Sequence, residues 1–583
     1  MPESWFADLP ISEKFPIFTR ANAGEVMPDP VSPLTASLGM INAGEQGWRD
    51  AYVRTGTLDA SDFEGDRPNT MGYFGGYLFL NMSISRIFGA RFPGLTPEQV
   101  DLQYFGTMPG IAPYVAEEWH TSPVHTERLT QFLMSTFTQT DLPELRADAQ
   151  RVNAIVVGRP DLSALTDREL LARARSLAGE YRSLFETHIA TSSASGLGIA
   201  TVGGICQAIG RPDLLMPLIS AAGDVDSAAP SWAIWELSRT VRSSASLSSI
   251  FANCSADLLA GVSGAAAGGD SDAVILLDQL DAFMVRFGCR GPNEWELRSL
   301  TWELRPNLVL VAVDRMRSMG DDESPQHHTD RLRAERERVT TEVASMLASN
   351  EEVLGQFLAG LNVALLFSSG RERSKTNNIR IVHEQRVAMR EIGRRMVERG
   401  LLDSVEQIFM LQDGQPHSEF ERFLAAPEMF AVTIRERERD YLELFDYVPP
   451  FVVANSVPPL SSWKRKSQAV EVEKAVAGTV LSGIAGCPGV ATGIARVILD
   501  PSDPFALEPG DILVAPVTDP AWTPLFVPAA AVVVDVGAQV THAVIVSREL
   551  GIPCVVSVTD ATKKIRDGDT ITVDGTLGTV TIH

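Results

Sequence analysis

The period of the hydrophobic pattern changes once along this chain, near Tyr447, and that change sets what it can fold into. From about residue 80 to 445 apolar residues recur at three- and four-residue steps, the stripe of amphipathic helices. Ile381, Gln385, Met389, Ile392 and Met396 share one such face, and Gly400 follows Arg394, Arg395 and Arg399 as a helix stop. Segment 329–368 is rich in Ala, Leu, Glu and Arg and holds no proline. From 481 onward the pattern becomes short β-type runs separated by glycines: IARVIL, DILVAPV, AAAVVVDV, CVVSV, TITVD and GTVTI. One helical segment, about Thr541–Leu550, interrupts them. The sequence therefore predicts a multidomain chain, with a large, mainly α-helical domain at 1–447 and a small C-terminal α/β domain at 481–583. The first 70 residues, richer in Pro, Gly and Asp, read as irregular or mixed structure. Gly261–Asp270 reads as a flexible connection.

Residues 448–480 carry Val448-Pro449-Pro450, Val457-Pro458-Pro459 and a charged stretch from Lys464 to Lys474, a linker composition. About 33 residues reach at most roughly 110 Å when extended. Such a tether would let the C-terminal domain swing over tens of ångströms.

Composition excludes several classes. Of 583 residues, 45% are hydrophobic, enough for real cores. A formal net charge of −24 repels phosphate backbones, so nucleic acid is not an expected partner. Five scattered cysteines without a CxxC spacing fit neither a disulfide framework nor a metal site and suggest a reducing compartment. The N-terminus lacks a basic region before an apolar core, and no unbroken apolar run approaches 18 residues. The expectation is a cytoplasmic protein with no membrane partner and no metal of its own.

The most informative stretch is Ala529–Val558. An apolar strand ends at Asp535, Gly537-Ala538 turns, and Thr541-His542 opens a helix stopped by Gly551-Ile552-Pro553. Thr541 suits an N-cap, which leaves His542 in the first turn, where unpaired N–H groups and the positive end of the helix dipole gather. A neutral imidazole nitrogen is a competent nucleophile near pH 7, and a phosphoryl group carried there would be stabilised by those donors. A lone histidine at a turn is otherwise a capping or core residue.

The surrounding residues resemble the phosphohistidine swivelling domain of the phosphoenolpyruvate-utilising and dikinase enzymes. The resemblance rests on Gly537-Ala538, Thr541-His542-Ala543, Ser547 to Pro553, Asp567-Gly568-Asp569 and Asp574-Gly575, with Gly486 to Gly493 as an entry motif. Ala538 and Ser547 depart mildly from the pattern. The stretch Thr518 to Pro524 is similar to the rifampicin phosphotransferase branch. The resemblance implies that His542 is the phosphorylated residue, supported by Thr541, Gly537 and Arg548.

Upstream, Arg371 and Lys375 stand four apart, stacked on a helix face, a suitable clamp for a phosphoryl group in transfer. Segment 371–400 carries nine Arg or Lys against four Glu, although a basic solvated face has the same composition. From Arg371 through Arg395 to Phe409 the chain is similar to the antibiotic-binding domain of rifampicin phosphotransferase, and Arg371 and Lys375 match the pair flanking its transfer site. Phe287 to Glu294 also resembles that domain. Arg290 and Glu294 there would orient an acceptor hydroxyl, or form an internal ion pair in a structural turn. His383 is a candidate general base. Trp232, Trp235, Trp295 and Trp302 suit either an aromatic pocket or a core. His327-His328 reads as a solvated pair in a polar loop.

No G-x-x-x-x-G-K-[ST] loop is present, and neither the ATP-grasp region of rifampicin phosphotransferase nor the barrel of phosphoenolpyruvate synthase is recognisable. The arrangement resembles the split phenylphosphate synthase. It implies a phosphotransferase component that passes a phosphoryl group from His542 to a hydroxyl of a small organic acceptor. No cofactor is expected on this chain, and ATP and Mg2+ would sit on an ATP-grasp subunit supplied in trans. The alternatives are a phosphorylation-linked dehydration or elimination on an alcohol, and a non-catalytic ligand-binding protein.

Overall fold

A computed structural model of the chain describes residues 3–583 except 66, 106–107, 109, 222–228, 254–256, 322–323, 415–417, 469–471, 501–506, 519–521 and 538–540. It resolves into two compact units. The first comprises Met1–Leu197, Trp295–Arg298 and Arg373–Val470, and the second Gly198–Glu294, Ser299–Glu372 and Glu471–His583. The unit boundary thus falls inside the long helices Asp167–Ala208 and Glu351–Glu398. The expected division into 1–447 and 481–583 does not follow these units.

In the first unit a four-stranded antiparallel sheet runs Met71–Phe74, Tyr77–Asn81, Ile17–Thr19 and Val452–Ala454. Its hairpin turns on Gly75 and Gly76, whose φ values of 56° and 77° are those of a two-residue turn that glycine tolerates without strain. Glu45 opens the helix Glu45–Thr55, and its buried carboxylate accepts from the backbone of Asn69, Thr70 and Met71 at 2.7, 3.0 and 3.0 Å. That ties the helix to the start of the sheet. The stripe read from the sequence is real, since Ile381, Gln385, Met389, Ile392 and Met396 are all fully buried. On the same helix Glu384 is fully buried and bridges Arg159 and Arg173 at 2.6 Å each.

Two segments expected to be loose are ordered. Much of 448–480 is ordered structure: Tyr447–Val448 pairs with Lys464–Arg465, Val452–Ala454 adds a strand to the N-terminal sheet, and Leu460 and Trp463 are buried. The prolines hold the chain extended, and the β-branched pair Val452-Val453 between them supplies a pairing edge. Beyond 471, Ala475 already bonds Lys564 of the C-terminal domain. Likewise Gly261–Asp270 is not a loose connection, because Leu258–Ala267 is a helix capped by Asp257, with Leu258 and Val262 in the core. Its alanines outweigh its glycines in helix propensity.

The second unit holds a helical part, including Ala229–Ser243, Ser271–Phe287, Asn307–Arg317 and Pro325–Met346, around a core that contains Trp235, Leu276, Phe283 and Trp302. It also holds an eight-stranded sheet ordered Val480–Ser482, Thr579–Ile582, Thr570–Asp574, Val490–Val497, Ile512–Ala515, Ala531–Val534, Cys554–Val556 and Ile484–Cys487. The fourth to seventh strands of that order, Val490–Val497 to Cys554–Val556, are parallel. Central parallel strands need cover on both faces. Leu513, Val532 and Val534 face one core with the helix His542–Leu550, while Ile512, Val514 and Val533 face a second core with Ala561. Within this unit the sheet domain meets the helices through an Arg315–Glu508 ion pair at 2.9 Å, the Thr329 hydroxyl donating to the Glu549 carbonyl at 3.3 Å, and Met216 against the sheet core.

The helices Asp167–Ala208 and Glu351–Glu398 each contain an apolar window long enough, by length and composition, to cross a bilayer. The expectation of no such segment missed them because small residues interrupt the runs without lowering the mean. In the second unit Val202 and Cys206 of one pack with Phe357 and Leu361 of the other in a buried cluster.

Candidate active site

Adjacent parallel strands Ile512–Ala515 and Ala531–Val534 deliver two polar residues at their carboxyl ends, where open parallel sheets place ligands. The first strand runs out to Thr518. The second leads through Asp535 and Gly537 to the helix that starts at His542. Burial raises the Asp535 carboxyl, against hydrogen bonds from the Thr562 amide and hydroxyl at 2.8 and 2.5 Å that lower it. A Cβ on Gly537 would lie 3.1 Å from Val556 Cβ and 3.2 Å from Thr541 Oγ1, so the strand-to-helix turn is tight against its neighbours.

His542 is the first residue of the helix His542–Leu550 and is half-buried. Its Nδ1 lies 3.1 Å from Thr518 Oγ1, and its ring meets Phe526 edge-on, centroids 5.7 Å apart. The Thr518 hydroxyl thereby fixes the orientation of the imidazole through Nδ1. Thr541 takes the N-cap position with extended backbone but makes no side-chain cap. Sequence reasoning noted Thr518 only within a motif and assigned it no role; its pairing with His542 needs the parallel register.

Arg548 does not support His542. It lies six residues along the helix, about 9 Å of rise away, where it is buried. Burial lowers its pKa, opposed by Glu549, the Cys487 thiol and Glu372, while Arg371 adds to the lowering. The helix thus presents His542 at one end and a buried guanidinium at the other.

Arg371 and Lys375 both lie on the helix Glu351–Glu398, half-buried, Arg371 in the second unit and Lys375 in the first. Arg371 approaches Glu372 at 3.6 Å. Arg290 and Glu294 are brought together, Nη1 lying 3.1 and 3.0 Å from the two carboxylate oxygens, with side chains only 1% and 2% exposed. A pair so enclosed clamps its own turn. His383 is buried with Nδ1 3.1 Å from Arg386 Nη1, and Arg386 in turn donates to the Glu296 carbonyl at 3.0 Å, so His383 sits in a structural network. His327 is exposed on the first turn of the helix Pro325–Met346 rather than in a loop; the His328 side chain lies outside the described residues, as do Ala538 and 519–521.

The first unit also contains a histidine that the sequence did not single out. His188 Nδ1 lies 2.9 Å from the Ser374 hydroxyl, next to Lys375 in sequence, and its ring lies 6.0 and 6.2 Å from Phe185 and Trp295. Tyr181 extends this aromatic group, 6.2 Å from Trp295. No local motif marks His188, which sits mid-helix. Of the four candidate tryptophans, Trp295 belongs to this group, Trp235 and Trp302 to the second unit's core, and Trp232 is half-buried.

Residues 507–578, which include Thr518 and His542, match the model of the PEP-utilising enzyme mobile domain, and residues 188–372 match the rifampicin phosphotransferase fourth domain. The chain is 28% identical to the prodigiosin synthesizing transferase PigC of Serratia marcescens over 99% of its own length and 64% of that protein. It is 30% identical to a rifampicin phosphotransferase of Streptomyces sviceus and 28% identical to one of Bacillus cereus, each over 52% of this chain and 34% of the relative. The chain therefore spans about a third of the rifampicin phosphotransferases it matches. It carries the mobile domain of the phosphoenolpyruvate-utilising enzymes together with the fourth domain of rifampicin phosphotransferase.

Proposed function

We propose that this chain is a phosphoryl carrier and acceptor-binding component of a phosphotransferase. The observation that supports it most is His542, which opens a helix at the carboxyl ends of parallel strands with Nδ1 held by Thr518. In the carrier step an N–P bond forms on the His542 ring as a phosphoanhydride P–O bond of the ATP donor breaks and the rest of the nucleotide leaves, and the helix N-terminus stabilises the carried phosphoryl group. In the transfer step the N–P bond breaks and an O–P bond forms to a hydroxyl of a small organic acceptor, whose proton passes to a base. Arg371 and Lys375 are assigned to stabilise the charge on the transferring group. His188, oriented by Ser374 one residue from Lys375, is the candidate base. The donor is ATP with Mg2+, bound by an ATP-grasp module that we place on a partner chain, and we place the reaction in the cytoplasm.

A second reading is favoured by one finding. One relative that aligns with nearly the whole chain is named a synthesizing transferase, not a phosphotransferase. On that reading the phosphoryl group activates an acceptor hydroxyl and leaves as phosphate in a later step, such as elimination. Incubation with ATP-grasp proteins, ATP labelled at the β or γ position and hydroxylated acceptors separates these. Transfer yields a stable phosphate ester, activation yields free phosphate and a dehydrated or coupled product, and a ligand-binding protein yields neither. Equal labelling of wild type and His542→Ala contradicts both phosphoryl readings.

A further inference from the structure

Far in sequence from His542, the first unit gathers Asp59, Asp62 and His125, each with one ligand atom within 4.8 Å of the others. We propose that these three residues bind a divalent transition-metal ion, with zinc the best-suited species, and that the ion staples the turn at 59–62 to the helix Pro123–Thr138.

His125 is 7% exposed, and its Nδ1 is fixed by the Ser122 hydroxyl at 2.8 Å. The remaining ring nitrogen, Nε2, is buried without a hydrogen-bond partner among the described residues and faces Asp59 Oδ2 at 3.4 Å. A buried polar nitrogen left in that state costs free energy unless something binds it. A metal-ligating histidine typically has its other nitrogen held by a second group, as Ser122 holds Nδ1 here.

The carboxylates are prepared in a similar way. Asp59 and Asp62 cap the same short turn reciprocally, and the Asp59 amide donates to Asp62 Oδ2 at 2.9 Å. Arg128 Nη1 takes Asp59 Oδ1 at 2.6 Å, and Lys14 Nζ lies 3.3 Å from Asp62 Oδ1. Asp59 Oδ2, Asp62 Oδ1 and His125 Nε2 then remain as the ligand set, with Lys14 displaced from a long contact. Nitrogen and oxygen ligands at about 2.0–2.2 Å from zinc stand roughly 3.3 Å apart in a tetrahedron. The three atoms need to close by up to about 1.5 Å, within reach of side-chain torsion. Asp59 is partly exposed, so water completes the shell. One imidazole and two carboxylates suit zinc or manganese better than calcium or magnesium. The two flanking cations offset the carboxylate charge, so the expected affinity is moderate. Linking residue 59 to residue 125 closes a long loop and stabilises this unit through its unfolded state.

Isothermal titration of the full chain, stripped with chelator, by ZnCl2 and separately by MnCl2 tests the site. One saturable equivalent is expected, weakened at least tenfold by His125→Ala and by the more exposed Asp62→Asn, each checked for folding by circular dichroism. Arg128→Ala removes a competitor for Asp59 and is expected to tighten binding. Thermal unfolding of wild type rises with added zinc, and that rise shrinks in His125→Ala. Titration curves that His125→Ala and Asp62→Asn leave unchanged, or weaker binding in Arg128→Ala, overturn the proposal.

Discussion

Thr518 Oγ1 lies 3.1 Å from Nδ1 of His542, a contact made between the carboxyl ends of two neighbouring parallel strands. It orients the imidazole that takes the phosphoryl group in the proposed reaction. Thr518→Ala removes one hydrogen bond to the ring, worth about 0.5–1.5 kcal/mol, and should slow phosphorylation of His542 about two- to twelvefold. Thr518→Ser keeps the hydroxyl and should retain most of the rate. Quench-flow measurement of acid-labile phosphate on each variant checks this. Equal loss in both variants would assign Thr518 to packing alone.

Lys375 and His542 serve different steps in the proposed reaction. Lys375→Ala and Arg371→Ala should therefore leave charging of His542 near wild type and slow discharge onto an acceptor by about a hundredfold or more. Single-turnover chase of the charged chain with a panel of hydroxylated acceptors measures the split. A charging defect as large as the discharge defect contradicts the assignment.

Glu384 is fully buried and holds Arg159 and Arg173 at 2.6 Å each. Glu384→Ala removes the buried carboxylate shared by two partly buried guanidinium groups and should destabilise the first unit by about 3 kcal/mol. A denaturant titration followed by tryptophan fluorescence, with Trp48 and Trp295 both in this unit, reports the loss. An unchanged transition would mean that the arginines find other partners.

Burial raises the Asp8 carboxyl to about 6, partly offset by hydrogen bonds from the amides of Gly76 and Trp5. The folded state thus holds this proton more tightly than the unfolded chain, whose carboxyl titrates near 3.9. The stability it contributes is complete below about pH 4 and is lost as pH rises through about 6. The melting temperature of wild type relative to Asp8→Asn should fall across that window and stay level above it. A difference independent of pH contradicts the assignment.

How much of this was legible in the sequence depends on range. His542 could be found because its signature is local, and the helix stripe Ile381 to Met396 could be found because helical periodicity is local too. The segment 448–480 was misread because its prolines look the same in a linker and in an edge strand. Only the distant partner Ile17–Thr19 turns Val452–Ala454 into part of a sheet. Thr518 and His188 gained their candidate roles from partners 24 and 186 residues away, which no spacing rule reaches. The same holds for Arg548, whose motif position suggested a site role until burial placed it at the far end of its helix.

The most direct measurement is phosphopeptide mapping of the chain after incubation with an ATP-grasp donor and labelled ATP, under alkaline conditions that preserve phosphohistidine. The account predicts one acid-labile phosphate, located on His542 and absent from His542→Ala. Label on another residue, or label undiminished in the variant, contradicts it.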